Sequence, residues 1–338
     1  MPTDALNPSG GPAMGHRYFL KVGELGRYLA WMMGTFVVLT TLVWGLIRGG
    51  LLPAEAHLSN PDSAIISTKA LLASQTTGKS IAFVGDSSCL INIDIPTLRS
   101  RGIDAVNLGT LSYLGIDAFG RLAQRFCEGK PSPEIILVVH PECLRLTEPS
   151  MEHRAILESA LSIPGVPGEG LSGNRFQRET FDGLRNRVLD RWIPTPLRGR
   201  MGSRYGFTGD LRARLLATGG TMEETATFDP RSPHGSAEYR LARRIRGECE
   251  AFRGLLPKGV RVRLVISPIP QSHALKTHQA TVSQIQRDVA AWLDAGDPAL
   301  SMPTILPDSE FGTITHLLPH SARNYSESLA RQMMEARN

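Results

Sequence analysis

Hydrophobic and polar positions follow three different rules along the 338 residues. Over 28–47 no charge interrupts a run rich in Leu, Val, Met and Trp, and its 20 residues match the helix length that crosses a bilayer core. From residue 79 onward, short β-branched runs alternate with amphipathic stretches. Strands are predicted over 81–84, 105–107, 135–139 and 260–267, and helices over 95–101, 115–127, 237–255, 281–295 and 321–335. Strands that are apolar throughout, not alternately, belong to parallel sheets covered on both faces. The pattern therefore predicts an α/β fold, a three-layer α/β/α sandwich around a parallel sheet. Between about 145 and 235 the rhythm breaks into Gly, Pro and Arg with little helical period, which reads as an insertion.

The same pattern divides the chain into a tail at 1–27, a transmembrane anchor at 28–47, a linker with a short helix at 48–78, and an α/β domain at 79–338. Residues 1–15 are rich in Pro, Gly and Asn and read as disordered. Arg17, Lys21 and Arg27 precede the apolar run, whereas Arg48 stands alone beyond it, ahead of Glu55 and Asp62. The positive-inside rule then places the N-terminus in the cytoplasm and the domain on the far side. A cleaved signal peptide is the alternative, but the run is long for one and no small-x-small cleavage site follows at once.

An apolar fraction of 41% with 20% charged residues excludes wholesale disorder. The net charge of +5 is mild, and no stacking aromatics are interleaved with the basic residues, so nucleic acid is not an expected partner. Arg185, Arg187, Arg191, Arg198, Arg200 and Arg204 cluster around Trp192 in the insertion, which reads equally as a surface for anionic groups or as a solvated cap. Cys89, Cys127, Cys143 and Cys249 lack zinc-site spacing and read as small buried residues, with a Cys89–Cys143 pairing left open. No phosphate loop, dinucleotide fingerprint or Cys-x-x-Cys is present; no cofactor and no metal are expected.

Candidate chemistry lies in two segments about 230 residues apart. Ile81-Ala-Phe-Val-Gly-Asp-Ser-Ser88 runs from a buried strand into a small-residue turn, the kind of place where α/β folds present reactive side chains. Ser87 is the candidate nucleophile, and a serine hydroxyl needs a base; His316, just before the last helix, is the candidate. Asp308 would orient His316 if the loop folds back, and His140 is a reserve base beside the expected site. The competing readings are structural: Asp86, Ser87 and Ser88 as helix-capping residues, His316 as a buried helix-entry histidine, and Asn107 with Gly109 as a tight strand end.

Gly85-Asp86-Ser87, then Asn107-Leu108-Gly109, then the late His316 resemble the SGNH, or GDSL-type, hydrolase superfamily over roughly residues 78–335. The resemblance implies a flavodoxin-like sheet, catalytic Ser87 and His316, an oxyanion held by the amides of Ser87 and Gly109, and Asn107 at the pocket floor. Two motifs depart from it. The superfamily's Gly-x-Asn-Asp is replaced by Val139-His140-Pro141-Glu142, and its aspartate three residues before the histidine is replaced by Thr313. With the N-terminal anchor, these departures are similar to membrane-anchored polysaccharide O-acylation proteins of the DltD, AlgJ and AlgX type. That likeness implies a single-pass protein of the bacterial inner membrane with its domain in the periplasm. It would act on an exopolysaccharide or cell-wall glycan beside a membrane-bound O-acyltransferase of the MBOAT class, as an acyltransferase or acylesterase working through an acyl-serine. The alternatives are a catalytically silent glycan-binding scaffold and a lipase or thioesterase released from its anchor.

Overall fold

The computed structural model describes residues 22–48, 61–75, 78–145, 148–162, 208–231, 239–274, 279–295 and 300–336. The chain divides into two compact units, Met1–Leu52 and Pro53–Asn338. The first contains helix α1 (Val22–Arg48), which holds the predicted span 28–47 and exposes Trp31, Met32, Phe36 and Val38. Among the described residues no helix is long and apolar enough to cross a membrane; the side chains at 22, 40, 43, 44 and 46–48 of α1 lie outside the described set.

In the second unit the order is α2 (Pro61–Gln75), β1 (Ile81–Gly85), α3 (Ser87–Asn92), α4 (Ile95–Ser100), β2 (Ala105–Gly109), α5 (Ile116–Cys127), β3 (Glu134–Val139), α6 (Pro141–Arg145), α7 (Met151–Ser162), α8 (Thr208–Thr218), α9 (Ile245–Leu255), β4 (Arg261–Ile266), β5 (Ile269–Pro270), α10 (Gln271–Ala274), α11 (Gln279–Trp292), β6 (Ile305–Leu306) and α12 (Pro319–Glu335). Strands β2-β1-β3-β4 form one parallel sheet, in register from Ile81 opposite both Ala105 and Glu134, and β5 and β6 make a separate short parallel pair.

The sheet is flanked by helices because its strands are apolar on both sides. Ala82, Val84, Val106, Leu108, Leu137 and Leu264 face one core with α2, α5, α7, α8, α9 and α11. Ile81, Phe83, Ala105, Ile136, Val138 and Val265 face the other with α3, α4 and α12. Period-2 alternation thus sends successive residues to opposite cores, neither of which is water.

Two expectations change. The stretch 48–78 is not only a linker: α2 buries Ala64, Ile65, Ile66, Ala70, Leu72 and Ala73 in the first core. The helix expected over 237–255 begins at Ile245. Within the insertion, 163–207 lies outside the described residues, and with it the arginine cluster at 185–204 and Trp192. Further along the insertion, 219–224 is a strap that meets edge strand β2 at Asn107 and then crosses α3 and the turn into α4. Asn107 donates its amide to Gly219 O (2.9 Å), Met222 donates to Leu90 O (3.0 Å), and the Thr221 hydroxyl lies between Ile93 O and Ile95 N (3.0 Å each). Such a strap covers a sheet edge that would otherwise present unpaired backbone groups.

Candidate active site

At the carboxyl end of β1 the chain turns sharply into α3. Gly85 is required there, because a Cβ on it would sit 1.8 Å from Val138 O of the neighbouring strand. Asp86 is the N-cap of α3. Its buried carboxylate accepts from Ser88 N (2.8 Å) and Ser88 Oγ (2.6 Å) through one oxygen and from His140 N (2.9 Å) through the other. Asp86 therefore ties the ends of β1 and β3 together while capping the helix. Burial pushes its carboxyl pKa up, against those hydrogen bonds. Because Asp86 and Ser88 satisfy each other, Ser87, the partly exposed first residue of α3, keeps its hydroxyl for another partner.

That partner is His316. Its Nε2 lies 2.9 Å from Ser87 Oγ, and its Nδ1 lies 2.7 Å from Glu224 Oε2. The other oxygen of Glu224 accepts the amides of Thr225 and Ala226, each at 2.8 Å, so three donors converge on a side chain that is 1% exposed. With the proton on Nδ1, both imidazole contacts are hydrogen bonds, and Nε2 is left as the acceptor for the serine proton. A serine hydroxyl, an imidazole and a carboxylate are thus joined in one hydrogen-bonded chain.

The loop bearing His316 is a tight return held at both flanks. Gly312 and Thr313 donate their amides to His316 O, and Phe311 bridges antiparallel to Leu317. Thr313, where the resembled pattern has its aspartate, accepts the His316 amide on its hydroxyl at 3.2 Å and so shapes the turn instead of touching the ring.

The remaining predicted residues fall elsewhere. Asp308, expected to orient His316, accepts the Ser272 amide (2.9 Å) from a short turn over Asp308–Glu310, and the imidazole nitrogen it would have served is held by Glu224. Asn107 is fully buried and cannot line a pocket floor. Its amide group donates to Cys89 O (2.7 Å) and Ile93 O (3.0 Å), and its oxygen accepts Gly109 N (2.8 Å). The Gly109 amide expected at the oxyanion is therefore committed within the protein. Gly109 is needed for a close approach instead, since a Cβ there would meet Leu90 N at 2.4 Å.

The surroundings of His140 disfavour a role as reserve base. Burial and the nearby His316 and His273 pull its pKa down to about 3, so it is neutral and weakly basic at physiological pH. Its Nδ1 accepts the Glu142 amide (3.1 Å), and its ring meets Tyr239 edge-on with centroids 5.9 Å apart. All four cysteines are buried free thiols, so Cys89 and Cys143 are not joined.

Three residues important to this arrangement escaped sequence reasoning: Glu224, Asn92 and Lys69. Glu224 follows the Gly219-Gly220 pair, a punctuation mark that signals a turn but not what the turn carries. Lys69 is fully buried on α2 and donates to Asn107 O (2.9 Å) and to Gly220 O, fastening the strap that ends at Glu224. Comparison with protein-family models, curated proteins and solved structures gives no match.

Proposed function

We propose that this chain is a serine-dependent acyl-transfer enzyme of SGNH-like, flavodoxin-like architecture, anchored in the bacterial inner membrane with its domain in the periplasm. Its substrate in this reading is an exopolysaccharide or cell-wall glycan, on which it acts as an O-acyltransferase or acylesterase beside a membrane-bound O-acyltransferase. The observation that carries the chemistry is the Ser87–His316–Glu224 line, with 2.9 and 2.7 Å between successive groups. Ser87 Oγ attacks the acyl carbonyl carbon as its proton passes to His316 Nε2, and Glu224 steadies the resulting imidazolium. The tetrahedral intermediate expels its alcohol or other leaving group, which takes the proton from Nε2, and leaves an acyl-serine. A sugar hydroxyl or water then gives its proton to Nε2 as it attacks the ester carbon, and the acyl–Oγ bond breaks as Nε2 returns that proton to Ser87 Oγ, releasing the ester or acid product. For the oxyanion, the Ser87 amide at the first position of α3 has no carbonyl partner within the helix.

A second reading, a silent glycan-binding scaffold, has one observation in its favour. The Gly109 amide is bonded to Asn107 Oδ1 and is not offered to an oxyanion. Intact-mass analysis of residues 53–338 after exposure to a fluorophosphonate separates the two. One adduct on Ser87, absent from Ser87→Ala and strongly slowed in His316→Ala, is expected for the enzyme. No adduct on a folded domain would sink the acyl-serine reading and leave the scaffold.

A further inference from the structure

Helix α3 carries Ser87 as its first residue and Asn92 as its last, about 7.5 Å along one helix axis. The Asn92 side chain is fully buried and reaches the loop that presents His316. Its amide nitrogen donates to Thr315 O (3.1 Å) and its oxygen accepts Leu317 N (2.8 Å), so one side chain holds the residues immediately before and after the histidine. The same nitrogen donates to Ser267 Oγ (2.8 Å), and Ser267 is itself fixed to β3 by its amide bonding Val139 O (2.9 Å). The backbone carbonyl of Asn92 receives the Ser326 hydroxyl of α12 at 3.5 Å.

We infer that Asn92 is the positioning residue of the site, a clamp that fixes the His316 loop against the helix bearing Ser87 and so sets the serine-to-imidazole distance. Only an amide meets the requirement, since the two flanks present opposite groups, a carbonyl before His316 and an N–H after it. Aspartate is nearly the same size but sets a carboxylate oxygen against the Thr315 carbonyl, and leucine satisfies neither flank. The consequence for rate rests on the acyl-serine reading; the consequence for the imidazole does not.

The test uses Asn92→Asp and, as a milder change, Ser267→Ala in the full chain. Phe126→Leu, at a buried position on α5 among residues of the other core, serves as a control for general destabilisation. Fluorophosphonate labelling of Ser87 is expected to slow about 10- to 100-fold in Asn92→Asp, the scale of an ångström-sized misplacement. It should slow less in Ser267→Ala and not at all in Phe126→Leu at a matched fall in melting temperature. In a Ser87→Ala background, the downfield imidazole proton shared by His316 and Glu224 is expected to vanish with Asn92→Asp, and Leu317 amide exchange to speed up by about an order of magnitude. An unchanged imidazole proton and unchanged Leu317 exchange in both variants would overturn the clamp. If Ser87 of the parent chain never labels, the acyl-serine reading fails, while the two magnetic-resonance readouts still decide the role of Asn92.

Discussion

Replacing Glu224 by glutamine keeps the shape of the side chain but removes the charge opposite His316 Nδ1, and an amide nitrogen there would favour the wrong imidazole tautomer. Labelling of Ser87 in Glu224→Gln is expected to fall by about 10⁴-fold, whereas Asp308→Asn should label at the parent rate; equal losses in both would transfer the orienting role back to Asp308. Ser87 and His316 were legible as candidates because each sits at an element boundary: a strand running into a small-residue turn, and a histidine ahead of a helix. Glu224 lies 92 positions before His316, in a segment with neither the helical nor the strand period, and only the hydrogen bonds of the strap bring it to the ring. Lys69 gives a second prediction at this scale. Burial lowers its pKa from 10.5 to about 7, so between those values the unfolded chain binds a proton that the native protein has released. Stability contributed by this group therefore rises with pH across that window, by up to about 1.4 kcal/mol per pH unit. Above pH 9 the buried cysteines act in the opposite sense, because their pKa values are raised and the unfolded chain loses protons first. Urea denaturation of the parent and of Lys69→Met between pH 7 and 9 isolates the lysine: the parent should gain stability with pH relative to the variant, and parallel curves would refute the shift.

Among the elements, α2 shows why part of the fold was hidden. Its sequence, Pro61-Asp-Ser-Ala-Ile-Ile-Ser-Thr-Lys-Ala-Leu-Leu-Ala-Ser-Gln75, lacks a polar stripe and an apolar stripe, so no amphipathic signal marks it as part of the domain. The reason is that nearly every side is covered: Ser63, Thr68 and Lys69 are buried together with Ile65, Ile66 and Leu72. Their polar groups are bonded inside the protein, Thr68 Oγ1 to Ala64 O and Lys69 Nζ to Asn107 O. The strands were readable for the complementary reason, since burial on both faces leaves β1 and β3 as nearly unbroken apolar runs; β1 and β2 extend past the predicted limits to Gly85 and Gly109, whereas β4 (Arg261–Ile266) falls inside its limits and carries a buried Arg263. A chain beginning at residue 79, the sequence-based domain start, would uncover the first core along this helix. Burying Ile65, Ile66 and Leu72 is worth about 1.5–3 kcal/mol each, comparable in sum with the whole stability of a typical domain, about 5–15 kcal/mol. Residues 79–338 are therefore expected to be insoluble or to lack a cooperative melting transition, while residues 53–338 melt cooperatively; a cooperative transition in the shorter chain would contradict the assignment of α2 to the core.

At the scale of the whole molecule the two units make opposite demands on solvent. The larger one buries its apolar residues in two cores and keeps its candidate site at the carboxyl ends of the strands. Helix α1 instead exposes Leu29, Trp31, Met32, Phe36, Val37, Val38, Leu39 and Leu42, successive positions that point all round a helix and not along one stripe. An amphipathic helix docks by one face, whereas exposure in every direction fits the proposed anchor, in which a bilayer core would surround the helix, even though its described residues alone fall short of a membrane span. The anchor proposal turns on this contrast, and fractionation tests it. The full chain is expected in the membrane pellet after alkaline carbonate washing, at its full mass of 36.9 kDa, while residues 53–338 remain soluble and label at the same rate. With an alkaline phosphatase domain fused after residue 338, activity should appear only if that end has left the cytoplasm. A full chain recovered uncut in the soluble fraction would end the membrane reading. A soluble product shortened beyond residue 48 would convert the apolar run into a cleaved signal peptide and release the site from any fixed distance to a membrane partner, leaving Ser87, His316 and Glu224 to act on whatever substrate diffuses to them.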